Sequence, residues 1–232
     1  MPRELFDPWL STFSLEPIPY NLIVKKKPKF DSKKKKIMLN RLKRTGTISI
    51  EQYKKLFWED PYLYSWINFF YVNEIRTNNK YSFMDKQKLL KEKFMKLPGR
   101  ISDKKLYHNY VNINNIISYK EKNNIETELI HFDSELKLEN NKYYYKKYIS
   151  PDGAIFTDKI IYLFETDLWT ESYRTLEEKA NSYFNYINKN YKNHQFKLIL
   201  FTTIIRIFTL NKNPTFINLK NYDLIEYYPN IS

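Results

Sequence analysis

Apolar positions along this chain switch several times between helical and strand spacing. From Ser32 to Arg44, Ile37, Met38, Leu39 and Leu42 recur at helical intervals, with Asp31 or Ser32 in a capping position and Gly46 as a stop, which predicts a first helix. Ser49-Ile50-Glu51-Gln52 has the form of a capping box and opens a second helix whose Tyr53, Leu56 and Phe57 face inward. A turn at Glu59-Asp60-Pro61 leads to an apolar run from Tyr62 to about Glu74, read as a third helix. Arg76 to Lys80 then forms the tip of a hairpin ending at Tyr81-Ser82-Phe83. Phe83 to Arg100 reads as an amphipathic linker or dimer helix, with Met84, Leu89, Leu90, Phe94 and Leu97 inward and Pro98-Gly99 as its stop.

Three helices followed by a wing predict a winged helix-turn-helix over residues 31–100, preceded by an arm over 1–30. The remainder alternates differently. Leu106 to Lys120 predicts a helix, 127–138 and 143–149 read as extended, and the short runs 154–156 and 160–166 pair as strands around a Thr157-Asp158 turn. A helix from Thr170 to about Asn190 and an apolar strand from Phe196 to Thr203 complete a mixed-sheet domain over 101–210, with 211–232 as a tail. The fold class is therefore α/β (α+β): a winged helix-turn-helix module and a second domain with a helix-flanked sheet.

Charge adds a second layer, because the formal net charge of +13 is unevenly spread. Residues 1–100 hold 22 Lys and Arg against 10 Asp and Glu, whereas residues 101–232 hold 17 against 16. Eight of the twelve residues from Lys25 to Lys36 are lysine, a run suited to displacing counterions from a phosphate backbone. The run leads straight into the helix-turn-helix pattern, so DNA is the expected partner. Lys33, Lys34, Lys35, Lys36, Lys43, Arg44, Lys54, Lys55, Arg76 and Lys80 are the expected contacts, chiefly to phosphate, with the third helix in the major groove and the hairpin along the backbone. A homodimer is expected, since half-sites are usually read in pairs.

Composition narrows the chemistry. No cysteine is present, which removes disulfides and thiolate metal sites. His108, His131 and His194 are too far apart for a histidine metal motif, and no phosphate-binding glycine loop occurs among three glycines. No apolar run reaches the roughly 18 residues of a membrane span and the amino terminus lacks signal-peptide order, so a cytoplasmic, non-membrane protein is expected. What remains is acidic: Asp152 follows Pro151, while Glu165 and Asp167 close the run Ile160-Ile161-Tyr162-Leu163-Phe164. Paired strands would gather these three carboxylates at one sheet end, a cluster suited to Mg²⁺ or Mn²⁺.

A basic helix-turn-helix pattern comes first, then Tyr107-His108-Asn109 opening a helix, Pro151-Asp152, a strand ending Phe164-Glu165-Thr166-Asp167, a helix containing Glu178-Lys179-Ala180-Asn181-Ser182-Tyr183, and a hydrophobic strand. In that order and spacing the chain resembles the replication-relaxation family over about residues 33–203. The resemblance implies a protein of a plasmid or other mobile genetic element that acts in DNA replication initiation or in DNA relaxation and mobilisation, as an accessory or initiator factor alongside other replication or relaxosome proteins. The core is also similar to the PD-(D/E)xK nuclease fold, with one departure: Asp167 stands where that motif has lysine. The similarity implies that Asp152, Glu165, Asp167 and Lys179 are the catalytic set of a metal-dependent DNA endonuclease or nickase. Lys179, relocated to the next helix, would then orient water or balance the phosphate, and Asp152, Glu165 and Asp167 would hold the metal. Alternatively Lys179 simply neutralises the carboxylates, and the domain is a scaffold without catalysis.

Overall fold

The computed structural model describes residues 12–17, 32–61, 64, 66–76, 92–98, 103–126, 138–140, 147–149, 151–167, 171–212 and 222–226. Contacts divide the chain into two units, Met1–Asn123 with Pro229–Ser232, and Asn124–Tyr228. The helix read near residue 106 thus belongs to the first unit, whereas the sequence pattern placed it after a boundary at 100.

The first unit is built from β1 (Thr12–Pro17), α1 (Ser32–Thr45), β2 (Thr47–Ser49), α2 (Ile50–Phe57), β3 (Asn68–Arg76), β4 (Lys93–Lys96) and α3 (Asp103–Lys122). Helix α1 ends where Gly46 turns to φ 73°, a conformation glycine adopts without steric cost, and the Gly46 amide donates to the Leu42 carbonyl. Met38, Leu42 and Thr45 are its buried residues. Helix α2 starts at the expected capping box: Ser49 Oγ accepts from the Gln52 amide at 3.1 Å, and the Ser49 amide donates to Gln52 Oε1 at 3.0 Å. The Gln52 side-chain amide continues across to the Tyr110 carbonyl and Asn114 Oδ1, at 2.9 and 2.8 Å, which ties α2 to α3. Asn109 likewise donates to the Thr45 carbonyl at 3.0 Å.

Two expected helices of this unit are strands. The run read as a third helix becomes β3, and the supposed linker helix contains β4; β3 and β4 pair antiparallel, as do β4 and β2 and β1 and β3, in the order β1-β3-β4-β2. The aromatic run around Asn68-Phe69-Phe70-Tyr71-Val72 has no period that separates helix from strand, and long-range pairing decides the outcome. Its Phe69, Phe70 and Val72 are buried, as are Phe94 and Met95 of β4. Arg76 therefore ends a strand, while the expected tip at 77–80, including Lys80, lies outside the described residues, as does 127–137.

The second unit contains the two-stranded pair β5 (Leu138–Asn140) and β6 (Lys147–Ile149), and a four-stranded sheet of β7 (Gly153–Phe156), β8 (Ile160–Thr166), β9 (Gln195–Thr202) and β10 (Tyr222–Glu226). Strands β7 and β8 form the expected hairpin, closed by the Thr157 amide on the Ile160 carbonyl at 3.0 Å. Helix α4 (Tyr173–Asn190) crosses from β8 to β9, which run parallel; a short helix α5 (Ile204–Leu210) then leads towards β10, which extends the sheet in parallel beside β9. Part of the expected tail is thus an integral strand. Ile161 and Leu163 of β8 share one core cluster with Ala180, Tyr183 and Ile187 of α4, together with Ala154 and Leu198.

Candidate functional site

Side chains alternate along β8, so the face that carries Ile161 and Leu163 towards α4 also carries Glu165. On α4, Leu176, Lys179, Ala180 and Tyr183 recur at the spacing of one helical face, which brings two polar groups against that carboxylate. Lys179 Nζ donates to Glu165 Oε2 at 2.8 Å and to Glu171 Oε1 at 2.6 Å. The Tyr183 hydroxyl donates to Glu165 Oε1. Asp152, at the head of β7, accepts from the Thr166 amide through Oδ2 at 2.8 Å. A cavity of about 10 Å³, room for roughly one water, lies among Glu165, Lys179, Tyr183, Leu176 and Leu198.

Burial governs the electrostatics. Glu165 is 4% exposed, and this burial, reinforced by the negative charge of Asp152, pushes its carboxyl up to about 8 against the opposing pull of Lys179 and Tyr183. Burial also works against the Lys179 ammonium, but Glu165, Glu171 and Asp152 outweigh it and hold Lys179 above the ordinary lysine range. Tyr183 is raised by burial and by the same carboxylates. The cluster therefore keeps one fixed positive charge, while burial favours the protonated form of Glu165.

Asp167 stands apart from this group. It is 1% exposed, its Oδ2 accepts from Arg206 Nε at 3.0 Å, and its carbonyl accepts from Thr202 Oγ1 at 2.8 Å. Arg206 Nη2 also donates to the Glu171 carbonyl at 2.6 Å, and its guanidinium lies 4.2 Å from the Tyr173 ring centroid. The pair fastens the end of β8 to α5 and to the chain just before α4. Ser172 caps α4, through its hydroxyl on the Thr175 amide. Of the four residues the sequence pattern grouped, the structure thus joins Asp152, Glu165 and Lys179 and gives Asp167 a partner of its own.

The fit to a divalent metal can be judged from the donors. Both Glu165 oxygens are engaged, by Lys179 and Tyr183, and among the described residues no group of three His, Cys, Asp or Glu is arranged to hold a metal ion. In this conformation the cluster is a closed charge assembly and does not fit an Mg²⁺ or Mn²⁺ ion.

The basic residues of the first unit are arranged differently. On α1, Lys33, Lys36, Lys43 and Arg44 fall on the side opposite the buried Met38, Leu42 and Thr45. Lys33, Lys34, Lys36, Lys43 and Lys55 are exposed, while Lys35, Arg44 and Lys54 are half-buried. Lys35 lies over the Trp66 ring, 5.9 Å from its centroid, and Lys54 is drawn to Asp60 at 3.2 Å and Glu51 at 3.5 Å. Arg41 turns inward, bonding Tyr53 at 3.0 Å, pairing with Glu59 and lying 4.4 Å from the Phe57 ring centroid.

Glu171, Tyr183 and Arg206 are the polar residues around the acidic cluster to which the sequence pattern gave no role. Tyr183 was within reach, four residues after Lys179 on the same helical face. Glu171 reaches Lys179, and Arg206 reaches Asp167, only through the turns of the folded chain. Among the described residues, no helix is long and apolar enough to cross a membrane. A comparison with protein-family models, curated proteins and solved structures returns no significant match.

Proposed function

We propose that this chain is a DNA-binding protein whose first unit holds the phosphate backbone through the outer face of α1, acting in the replication initiation or DNA relaxation and mobilisation of a plasmid or other mobile element. The observation that carries the reading is the segregation on α1: Lys33, Lys36, Lys43 and Arg44 lie opposite Met38, Leu42 and Thr45. An amphipathic helix whose outer side carries four cations and no carboxylate matches a polyanion. Strands β3 and β4 supply the paired strands that a wing requires, with β2 closing the small sheet beside them. Insertion of a third helix into the major groove is not part of the proposal, because that segment is strand β3. Pairing of two copies on one site and recruitment of further replication or relaxosome proteins belong to the same proposal.

A second reading, a metal-dependent DNA endonuclease or nickase, is favoured by the convergence of Asp152, Glu165 and Lys179 at one end of the β7–β8 hairpin. It requires Lys179 to release Glu165, so the accessory role is the better supported of the two. Incubating supercoiled plasmid with the protein, in Mg²⁺, in Mn²⁺ and in EDTA, separates them. A gel shift without cleavage in all three supports the accessory reading; metal-dependent nicking, lost in an Asp152→Ala/Glu165→Ala variant, establishes the nuclease; neither shift nor nick refutes both.

A further inference from the structure

Helix α2 ends on an unusual residue. Trp58 closes α2 in the left-handed region, at φ 51° and ψ 28°, with its amide on the Lys54 carbonyl. That conformation is ordinary for glycine or asparagine and costly for a bulky side chain. The strain does not serve burial, because Trp58 is 61% exposed, the second most exposed of the large hydrophobic residues that stand at the described surface. Lys120 of α3, itself only 5% exposed, lies with Nζ 4.7 Å from the indole centroid. A buried cation therefore sits beneath one face of the ring while the ring remains open to solvent. Exposed Lys55 lies one turn back on α2. The neighbouring carboxylates are answered locally, Glu59 by Arg41 and Asp60 by Lys54.

We infer that Trp58 is a stacking platform for an unpaired base, so that the first unit holds single-stranded DNA. An aromatic ring held outward with an exposed lysine close by, here Lys55, is the arrangement that binds single strands, the cation meeting a phosphate and the ring taking a base face. In a duplex those faces are covered by stacking on neighbouring pairs. The inference rests on the DNA-binding reading and adds the class of DNA: melted or nicked strands of the kind that initiation and relaxation both expose.

The test compares labelled oligo-dT with a duplex of the same length, bound by the full chain and by Trp58→Asn and Trp58→Phe. Asparagine accepts the left-handed conformation, so Trp58→Asn removes the ring without breaking the turn; relief of the strain offsets the lost contact with Lys120, and the variant should melt close to the unchanged protein. Loss of one stacked base weakens oligo-dT binding about 5- to 150-fold in Trp58→Asn, with Trp58→Phe retaining most of the affinity and duplex binding unchanged. Equal oligo-dT affinity in Trp58→Asn and the unchanged protein overturns the platform while leaving DNA binding intact. An equal loss on duplex also overturns it, pointing to a wedge between stacked pairs. Absence of binding to either probe defeats the DNA-binding reading and the platform together.

Discussion

Replacing Lys179 by methionine keeps the stem of the side chain and removes its ammonium, leaving Glu165, Glu171 and Asp152 without their shared counter-charge. A Glu165 carboxyl raised to about 8 favours its protonated form below that pH. The loss there is the partly exposed pair with Glu171 and a hydrogen bond to Glu165, together about 2–3 kcal/mol. Above that pH the two proteins diverge. The unchanged protein ionises Glu165 beside Lys179, but the variant must keep the proton or bury an uncompensated charge. Its penalty therefore grows by about 1.4 kcal/mol per pH unit, towards the ~3–5 kcal/mol typical of a broken buried pair. Denaturant midpoints of the two proteins between about pH 6.5 and pH 9 measure the difference, and Lys179→Met/Glu165→Gln should recover much of the loss at the alkaline end. A cost that stays level across that range, or below about 1 kcal/mol throughout, would refute this account of the cluster.

Three further outcomes follow from the same structure. Glu165 has an ordinary carboxyl value of 4.5 and a folded value of about 8, so between them the native state alone holds the proton; the stability it contributes is fully present below 4.5 and lost as pH rises through 8, and Glu165→Gln should flatten that decline in a series of melts. Arg206→Met removes the ion-pair partner of buried Asp167 at the end of β8 and should cost about 3–5 kcal/mol by chemical denaturation, whereas Asp167→Asn/Arg206→Met together should cost less. Ser49→Ala removes the acceptor of the α2 capping box and should lower stability by about 1 kcal/mol, read as a shift in denaturant midpoint.

Local signals in the sequence were legible where they were sufficient to set the structure. The capping box at Ser49 and Gln52, the Gly46 stop, the Thr157-Asp158 turn and the helix read from Thr170 to about Asn190 rest on signals within a few residues, and each of these elements formed. Strand β3 was misread because its aromatic run suits a buried helix as well as a buried strand, and only pairing with β1 and β4 resolves it. Lys93 to Lys96 was hidden for the same reason inside an amphipathic reading. The site shows the same division. Strand alternation and one helical face place Glu165 beside Lys179, whereas the attachment of Asp167 to Arg206 depends on α5, whose approach no local pattern announces.

The central claim is that the cationic face of α1 holds DNA, and its most direct measurement is the salt dependence of duplex binding by the unchanged protein and by a variant with Lys33, Lys36, Lys43 and Arg44 replaced by serine. These residues lie on the polar side of the helix, so the variant should fold as before. If they neutralise phosphates, affinity falls at low salt and the slope of log K against log salt becomes shallower by about 0.9 for each phosphate no longer neutralised, up to about 4 in total. An unchanged affinity and slope in the folded variant would contradict the claim.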